Sequence, residues 1–165
     1  MYQIKSKTVL NPSVVRMAIE APLVARKAKP GQFIILRTEA EGERIPLTIA
    51  DSDKEKGTVT IIFQVVGATT EKLQHKNVGD CLADFVGPLG KPTHTEGLKK
   101  VAVIGGGVGC AIAYPVTKAL FEQGTEVHAI VGFRNKDLVI LEDDFRSHST
   151  RFVAMSDDGT WGEKG

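Results

Sequence analysis

An apolar run that passes directly into a run of glycines constrains the fold of this chain more than any other feature. Residues 101–104 (VAVI) are apolar throughout, and residues 105–109 (GGGVG) follow without a break. An apolar run of this length is typical of a buried parallel strand, and a tight turn after it needs residues without a Cβ. Apolar residues near helical spacing come next, at Val108, Ile112, Val116, Ala119 and Leu120. The sequence therefore predicts a strand, a glycine turn and a helix.

The residues after this helix continue the alternation of strands and helices. Residues 126–131 and 151–155 are predicted strands, and residues 136–145 are a predicted helix between them. Pro115 lies inside the first helix and removes one backbone hydrogen bond, so we expect a kink or a delayed start. The alternation predicts part of a doubly wound parallel α/β nucleotide-binding domain. Because three strands form half of such a sheet and leave an edge open, we expect this domain to be truncated.

The N-terminal part has a different pattern, in which short β-rich segments are separated by turn residues. A single short helix is predicted at residues 70–75, capped by Thr69 or Thr70. The polar residues 91–97 mark a boundary between two domains, residues 1–96 and 97–165. Strands at this spacing predict an antiparallel barrel or sandwich. Six strands are predicted, at residues 2–10, 14–20, 32–37, 44–50, 58–66 and 82–86.

Composition argues against several classes of protein. The chain has 165 residues and a net charge of +1, so its bulk charge gives no indication of nucleic-acid or anionic-membrane binding. No segment has the apolar length of a membrane span or of a signal peptide, so we expect a cytoplasmic protein. Cys81 and Cys110 lack a Cys-x-x-Cys spacing, and the four histidines are scattered. We therefore predict no metal site and two small, buried, reduced thiols.

The glycine run is also suited to a dinucleotide. Gly105, Gly107 and Gly109 would let backbone N–H groups approach a pyrophosphate at the positive end of the following helix. Glycine-rich turns between a strand and a helix also occur without any ligand, so the run alone leaves both interpretations open.

Two further segments follow predicted parallel strands, where ligands of such sheets bind. Arg134 stands where an acid usually bonds the ribose hydroxyls, so it could instead meet an adenosine phosphate or ribose, or remain solvated. Asp157 and Asp158 could bond ribose or carboxamide groups, or they could form an exposed turn with Gly159.

The N-terminal part carries two candidate phosphate-binding segments. Residues 44, 46 and 48 share one face of a strand, so Arg44, Pro46 and Thr48 would lie side by side. Arg44 offers a fixed fork of donors to a phosphate. Residues 67–70 (GATT) place small residues and hydroxyls at the start of the short helix, which is a second anion cradle. Each segment alone also fits a solvated arginine or a simple helix cap.

Taken together, these motifs resemble the ferredoxin–NADP reductase superfamily. The closest resemblance is to its flavin-bearing electron-transfer subunits, as in dihydroorotate dehydrogenase, sulfide dehydrogenase and NADH-dependent ferredoxin:NADP oxidoreductase. The matching segments span the chain in the expected order: residues 29–33 (KPGQF), 44–48 (RIPLT), 63–70 (FQVVGATT), 87–90 (GPLG), 105–115, 138–143 and 157–159 (DDG).

The resemblance implies a six-stranded Greek-key antiparallel β-barrel that binds FAD, followed by the partial α/β domain. Arg44 would pair with the FAD pyrophosphate, and Thr48 would make the closest hydrogen bond to the flavin, as the catalytic residue. The other residues implied to contact FAD are Ile45, Pro46 and Leu47 near the ring, Phe63, Gln64 and Val65 beside the adenosine, and Gly67, Thr69 and Thr70 at the pyrophosphate.

The resemblance further implies that the second domain presents NAD(P)H, so that a hydride passes to FAD and electrons then pass to a partner subunit. The resemblance to the flavin-bearing electron-transfer subunits favours NADH, whereas Arg134 favours NADPH. The choice of coenzyme therefore stays open. The family's 2Fe-2S cluster would belong only to a longer form of the protein. Two alternatives also stay open, an FAD-binding module without catalysis of its own and a structural domain that has lost both cofactors.

Overall fold

The computed structural model describes all 165 residues and divides the chain into two units, Met1–Thr93 and His94–Gly165. The first unit contains one antiparallel sheet of seven strands in the order β6-β1-β2-β5-β4-β3-β7. In chain order the strands are β1 (Tyr2–Asn11), β2 (Val14–Glu20), β3 (Phe33–Arg37), β4 (Arg44–Asp53), β5 (Thr58–Gln64), β6 (Cys81–Leu82) and β7 (Asp84–Leu89). Helix α1 (Pro22–Lys27) follows β2, and helix α2 (Ala68–His75) follows β5.

A single residue joins the two edges of this sheet. Strand β6 pairs with β1 at one edge, β7 pairs with β3 at the other, and only Ala83 lies between β6 and β7. The N–H of Ala83 donates to the carbonyl of Arg37 at 3.0 Å. The sheet is therefore a nearly closed barrel, as predicted. It has seven strands in place of six, because the predicted strand at 82–86 is divided by Ala83 between two different partners.

The interior of the barrel is filled by alternate residues of the strands. On β3, Ile34 and Leu36 are fully buried, whereas Phe33, Ile35 and Arg37 are partly exposed. The core also contains Ile4, Met17, Ile19, Ile49, Val59, Ile61, Phe63, Leu73, Leu82 and Phe85.

Helix α1 was not predicted, since no element was expected between the predicted strands 14–20 and 32–37. Proline is well suited to the first position of a helix, where its missing N–H costs no hydrogen bond. Pro22 occupies that position, and Val24 and Ala25 are buried against the barrel. Strand β4 also extends to Asp53, three residues past its predicted end at residue 50.

Helix α2 is attached to the barrel through the buried Leu73 and through Lys7 of β1. Gly67, rather than Thr69 or Thr70, is its N-cap residue, and the Thr70 hydroxyl accepts a hydrogen bond from the N–H of Gly67 at 3.0 Å. Leu73 is fully buried in the barrel core. At the C-terminal end of the helix, the ammonium of Lys7 on β1 donates to the carbonyls of Gln74 and Lys76. The side chain of Lys7 thereby satisfies carbonyls that the end of a helix leaves free.

The second unit contains a parallel sheet of four strands in the order β11-β10-β9-β8. Its elements are β8 (Lys100–Gly106), α3 (Cys110–Glu122), β9 (Glu126–Phe133), α4 (Glu142–Ser147), β10 (Arg151–Ser156) and β11 (Glu163–Lys164). The predicted α/β architecture is confirmed.

No helix of either unit combines the length and apolar character that a membrane span requires.

Local details of the second unit differ from the predictions. The helix predicted at 136–145 is a 3₁₀ turn, Lys136–Leu138, followed by α4, because Leu141 adopts a left-handed backbone with φ of 61°. Helix α3 begins at Cys110 and continues through Pro115, so its start is not delayed to the proline. The two-residue strand β11 was not predicted, since so short a segment carries no periodicity.

The two thiols differ in their surroundings. Cys110 is buried at the start of α3, and burial raises the pKa of its thiol to about 12. Cys81 is partly exposed on β6, where both thiols were expected to be buried.

We expect one thiol of the native protein to react with Ellman's reagent at pH 8 and both to react after denaturation. With a pKa of about 12, roughly one Cys110 thiol in ten thousand is ionised at that pH. The measurement is a timed titration with and without guanidinium, and a Cys81→Ser variant identifies the reactive thiol. Rapid labelling of native Cys81→Ser protein would contradict the burial of Cys110.

Candidate functional site

The pleat of β4 divides its predicted ligand-contacting residues between the outward face and the core. Arg44 and Pro46 are exposed on the outward face, and Thr48 is partly exposed beside them. Ile45 and Leu47 point inward and pack against the core cluster. The structure therefore brings the three predicted outward residues together, whereas the side chains of Ile45 and Leu47 are partly buried against the core and offer a ligand less surface.

Strand β4 is divided between two neighbours. Residues Arg44 to Thr48 pair with β3, whereas pairing with β5 involves only Ile49 to Asp53, with a bulge between Ile49 and Asp51. Along residues 44–48, before the pairing with β5 begins at Ile49, the edge of β4 that faces away from β3 has no strand beside it. Backbone groups of the segment 44–48 therefore remain available along this edge.

An apolar row crosses the outward face next to this edge. Pro46 lies opposite Ile35 of β3, and Ile35 lies opposite Val86 of β7. Val86 is 52% exposed. The row offers a flat apolar surface at the barrel exterior.

A charged row lies directly beside the apolar one. Arg44 is opposite Arg37, and Arg37 is opposite Asp84. The Asp84 Oδ2 atom is 2.7 Å from Nη2 of Arg37 and 3.4 Å from Nη2 of Arg44. The Arg37 side chain is 22% exposed and also donates to the carbonyl of Ala40, whereas the Arg44 side chain is 62% exposed. Arg37 therefore stabilises the loop between β3 and β4 by its bond to Ala40. Arg44 is the accessible guanidinium of the row.

The first turn of α2 is closed by hydrogen bonds to Thr70, and free space lies beside Gly67. The Thr70 hydroxyl accepts from the N–H groups of Val66 and Gly67, each at 3.0 Å, and donates to the carbonyl of Gly67. A Cβ added to Gly67 would meet no atom within 4 Å. The N–H groups of Ala68 and Thr69 in the first turn have no partner inside the helix. The turn therefore combines free donors with room for a ligand.

Two side-chain contacts join α2 to the loop that precedes β4. The Thr69 hydroxyl donates to Oε2 of Glu43 at 3.0 Å, and the Lys72 ammonium lies 3.3 Å from Oε2 of Glu39. Glu43 directly precedes Arg44, so the two predicted phosphate-binding segments are neighbours in space. The Arg44 guanidinium itself leans across β3 toward Asp84 instead of toward residues 67–70. Contact between Arg44 and a ligand at the turn therefore requires a change of its side-chain rotamer.

The end of β5 and the residue that follows it offer little side-chain surface. Phe63 is 2% exposed and belongs to the core cluster, and Val65 packs against that cluster. Gln64 is exposed between them. Of the three residues predicted beside the adenosine, Gln64 is exposed and Val65 is partly buried, whereas Phe63 points into the barrel.

The glycine turn of the second unit divides its residues between two roles. Gly105 is buried, and a Cβ there would lie 3.0 Å from the sulfur of Cys110, so this residue lets α3 pack closely on β8. An added Cβ at Gly106, Gly107 or Gly109 would meet nothing within 4 Å. Gly107 has φ of 53°, a conformation that favours glycine. The open side of the turn thus includes Gly106, which the sequence interpretation did not single out.

Arg134, Asp157 and Asp158 meet at the carboxyl edge of the parallel sheet. The N–H of Asp157 donates to the carbonyl of Phe133 at 3.1 Å, and that of Asp158 donates to the carbonyl of Arg134 at 3.3 Å. Oδ1 of Asp158 accepts from the hydroxyl and the N–H of Thr160, and these hydrogen bonds lower the pKa of the Asp158 carboxyl. The side chains of Arg134 and Asp157 are exposed, so they are the freer candidates for a ligand.

Trp161 anchors this acidic turn and was not singled out from the sequence. Its indole N–H donates to Oε2 of Glu142 at 3.1 Å, and its ring makes edge contacts with Phe133 and Phe152. Arg146 bonds the other oxygen of Glu142. The contacts of Trp161 with Glu142 and Phe133 join distant parts of the sequence, so no local pattern could have indicated them.

Known proteins are similar in sequence to nearly the whole of this chain. The dihydroorotate dehydrogenase B (NAD(+)), electron transfer subunit homolog of Thermotoga maritima is 42% identical over 99% of this chain and 57% of its own length. The electron transfer subunit of dihydroorotate dehydrogenase B (NAD(+)) from Streptococcus mutans is 34% identical over 97% of this chain and 63% of its own. No protein-family model matches the chain.

Solved structures share the fold of the chain. The structure of an NADH-dependent reduced ferredoxin-NADP oxidoreductase has a TM-score of 0.93 and 41% identity, covering 100% of this chain and 59% of that one. The chain thus spans about three fifths of the length of the relatives it matches.

Proposed function

We propose that this chain, a member of the ferredoxin–NADP reductase superfamily, binds FAD on its first unit and NAD(P)H on its second and serves electron transfer to a partner protein. The superfamily resemblance predicted from the sequence is confirmed by relatives named as an electron transfer subunit or its homolog and by the structure of a ferredoxin-NADP oxidoreductase. One observation carries the assignment of FAD to the first unit. The unpaired edge of β4 at residues 44–48 and the first turn of α2 are joined by the Glu43–Thr69 hydrogen bond.

The donors at this place fit a diphosphate and a flat ring. The Arg44 guanidinium, the Thr69 hydroxyl and the free N–H groups of the first helical turn would hold the diphosphate. The exposed surface of Pro46 and the Thr48 hydroxyl would border the ring. When bound, FAD supplies the redox chemistry, since it accepts a hydride and can release electrons singly. The chain's own residues bind and orient it, and none of them needs to act as an acid or nucleophile.

Arg44 can leave its ion pair at little cost. The Arg44–Asp84 pair is long, at 3.4 Å, and the arginine side chain is 62% exposed. Exposed pairs of this kind contribute about 0–1 kcal/mol, whereas a hydrogen bond from a charged donor contributes roughly 1.5–3 kcal/mol. Arg37 remains beside Asp84 when Arg44 turns away, so the carboxylate keeps a partner.

The second unit would hold the pyrophosphate of NAD(P)H at its glycine turn. Gly106, Gly107 and Gly109 leave the backbone open there, and α3 directs its positive end toward the same turn. Arg134 and Asp157 would meet the rest of the nucleotide at the sheet edge.

Electrons would then leave for a partner subunit, as the names of the relatives indicate for those proteins. A 2Fe-2S centre would need residues outside these 165, because this sequence contains only two cysteines. We place this activity in the cytoplasm.

Reconstitution with FAD tests the proposal. Purified protein is incubated with FAD, desalted and scanned, and we expect retained flavin absorbance near 450 nm. Anaerobic stopped-flow mixing with NADH or NADPH should then bleach that absorbance. A protein that stays colourless, with no rise in melting temperature on adding FAD, would refute the proposal. Retained flavin that neither coenzyme bleaches would favour the alternative of an FAD-binding module without catalysis.

Arg134 provides a test of coenzyme choice. We expect Arg134→Ala to weaken NADP⁺ binding roughly ten-fold and to change NAD⁺ binding little, because a guanidinium at this edge would pair with the adenosine phosphate. Isothermal titration with each nucleotide measures the effect. Arg151→Ala is the control, since Arg151 is exposed in the same unit at the opposite end of the sheet. Equal losses for both nucleotides would show that Arg134 does not discriminate between them.

A further inference from the structure

A carboxylate lies where the proposed diphosphate site would form. Oε2 of Glu43 accepts the proton of the Thr69 hydroxyl at 3.0 Å, and Glu43 directly precedes Arg44. No Lys, Arg or His side chain forms an ion pair with Glu43. In contrast, Asp84 is paired with Arg37 and Glu39 with Lys72. Glu43 is thus a negative charge without a cationic partner, bonded to a proposed phosphate ligand.

We infer that Glu43 sets the affinity for FAD by competing with the diphosphate for the Thr69 hydroxyl. A hydroxyl has one proton to donate, so Thr69 can bond the Glu43 carboxylate or a phosphate oxygen but not both. The carboxylate would also repel the diphosphate, since the two anions would lie against the same hydroxyl. The inference rests on the proposed function, in which Thr69 and Arg44 hold the diphosphate of FAD.

The second proposed ligand of the diphosphate has a carboxylate partner as well. Arg44 is paired with Asp84 at 3.4 Å. Binding of the diphosphate therefore exchanges two internal contacts, Thr69 with Glu43 and Arg44 with Asp84. The two exchanges differ, because Asp84 keeps Arg37 as a partner and Glu43 is released with its charge uncompensated. Removing the charge of Glu43 should consequently favour binding.

Glu43→Gln tests this inference, because glutamine keeps the size and an acceptor oxygen but removes the charge. We expect the Kd for FAD to fall roughly two- to five-fold. This is the change in affinity that corresponds to the small free energy of an interaction between exposed charges. Glu41→Gln is the matched control, since it removes the same charge from an exposed position of the same loop without a bond to α2. Both variants and the parent protein are titrated with FAD, following quenching of flavin fluorescence.

Two further measurements separate competition from a structural role. The gain in Glu43→Gln should shrink at about 1 M NaCl, where charges are screened beyond roughly 3 Å. It should also shrink in a Thr69→Ala background, where the shared hydroxyl is absent. A purely structural role would instead lower the melting temperature of Glu43→Gln and weaken FAD binding at both salt concentrations.

The outcomes distinguish failure of the inference from failure of the proposed function. If the parent protein binds FAD and Glu43→Gln binds it equally or more weakly, the inference is overturned and the FAD site stands. An equal gain in Glu41→Gln would also overturn it, because the effect would then be one of general charge. If the parent protein binds no FAD, the proposed function fails and the inference fails with it.

Discussion

FAD affinity is expected to fall roughly 10- to 100-fold when Arg44 is replaced by alanine. Arg44 is the accessible guanidinium of the charged row, beside the unpaired edge of β4. Each hydrogen bond from a charged donor contributes about 1.5–3 kcal/mol, and about 1.4 kcal/mol corresponds to ten-fold in affinity. The fold itself should be preserved, because Arg37 still neutralises Asp84 when Arg44 is removed.

Fluorescence titration of the apoprotein with FAD measures this effect. Arg44→Lys should recover part of the lost affinity, since lysine restores the charge but not the planar fork. Arg26→Ala is the control, because Arg26 is an exposed arginine on α1 of the same unit. A Kd of Arg44→Ala equal to that of the parent would remove Arg44 from the FAD site.

Replacing Leu73 by alanine is expected to lower the free energy of unfolding of the first unit by about 2–5 kcal/mol. Leu73 is the one fully buried residue of α2, and it packs in the barrel core. The substitution removes apolar area and leaves a cavity, and it also loosens the helix whose first turn would hold the diphosphate. We therefore expect FAD affinity to fall together with stability.

Hydrogen exchange resolved by mass spectrometry measures this loss within the first unit, at amides of β5 and α2. The chain has one tryptophan, Trp161, which belongs to the second unit, so its fluorescence reports on that unit separately. Leu23→Ala is the matched control, since Leu23 is 73% exposed and its replacement should change stability by less than about 0.5 kcal/mol. Unchanged protection of α2 in Leu73→Ala would show that this side chain does not anchor the helix.

The parts of the fold that the sequence predicted are those with a local signal. Turn residues separate the strands of the first unit, and the apolar run at 101–104 with its glycines predicted the β8–α3 junction. The division of the predicted strand 82–86 had no such signal, because it depends on which distant strands Cys81 and Asp84 pair with. Helix α1 was missed because a proline can both end a strand and begin a helix.

The candidate site was predicted to a similar extent. The period of two along β4 placed Arg44, Pro46 and Thr48 on one outward face, as the structure has them. The roles of these residues toward FAD remain predictions. Glu43 and Asp84 were not singled out, because their contacts with Thr69 and Arg44 join residues 26 and 40 positions apart. Periodicity within one strand carries no information about such contacts.

The division of β4 between two neighbours has an evolutionary consequence. Main-chain pairing creates the opening beside residues 44–48, so the opening does not depend on which side chains border it. Mutations of the outward residues along this rim can therefore accumulate without breaking the hydrogen bonds of the sheet. A scaffold of this kind lets descendants change ligand or affinity by single substitutions while inheriting the same barrel.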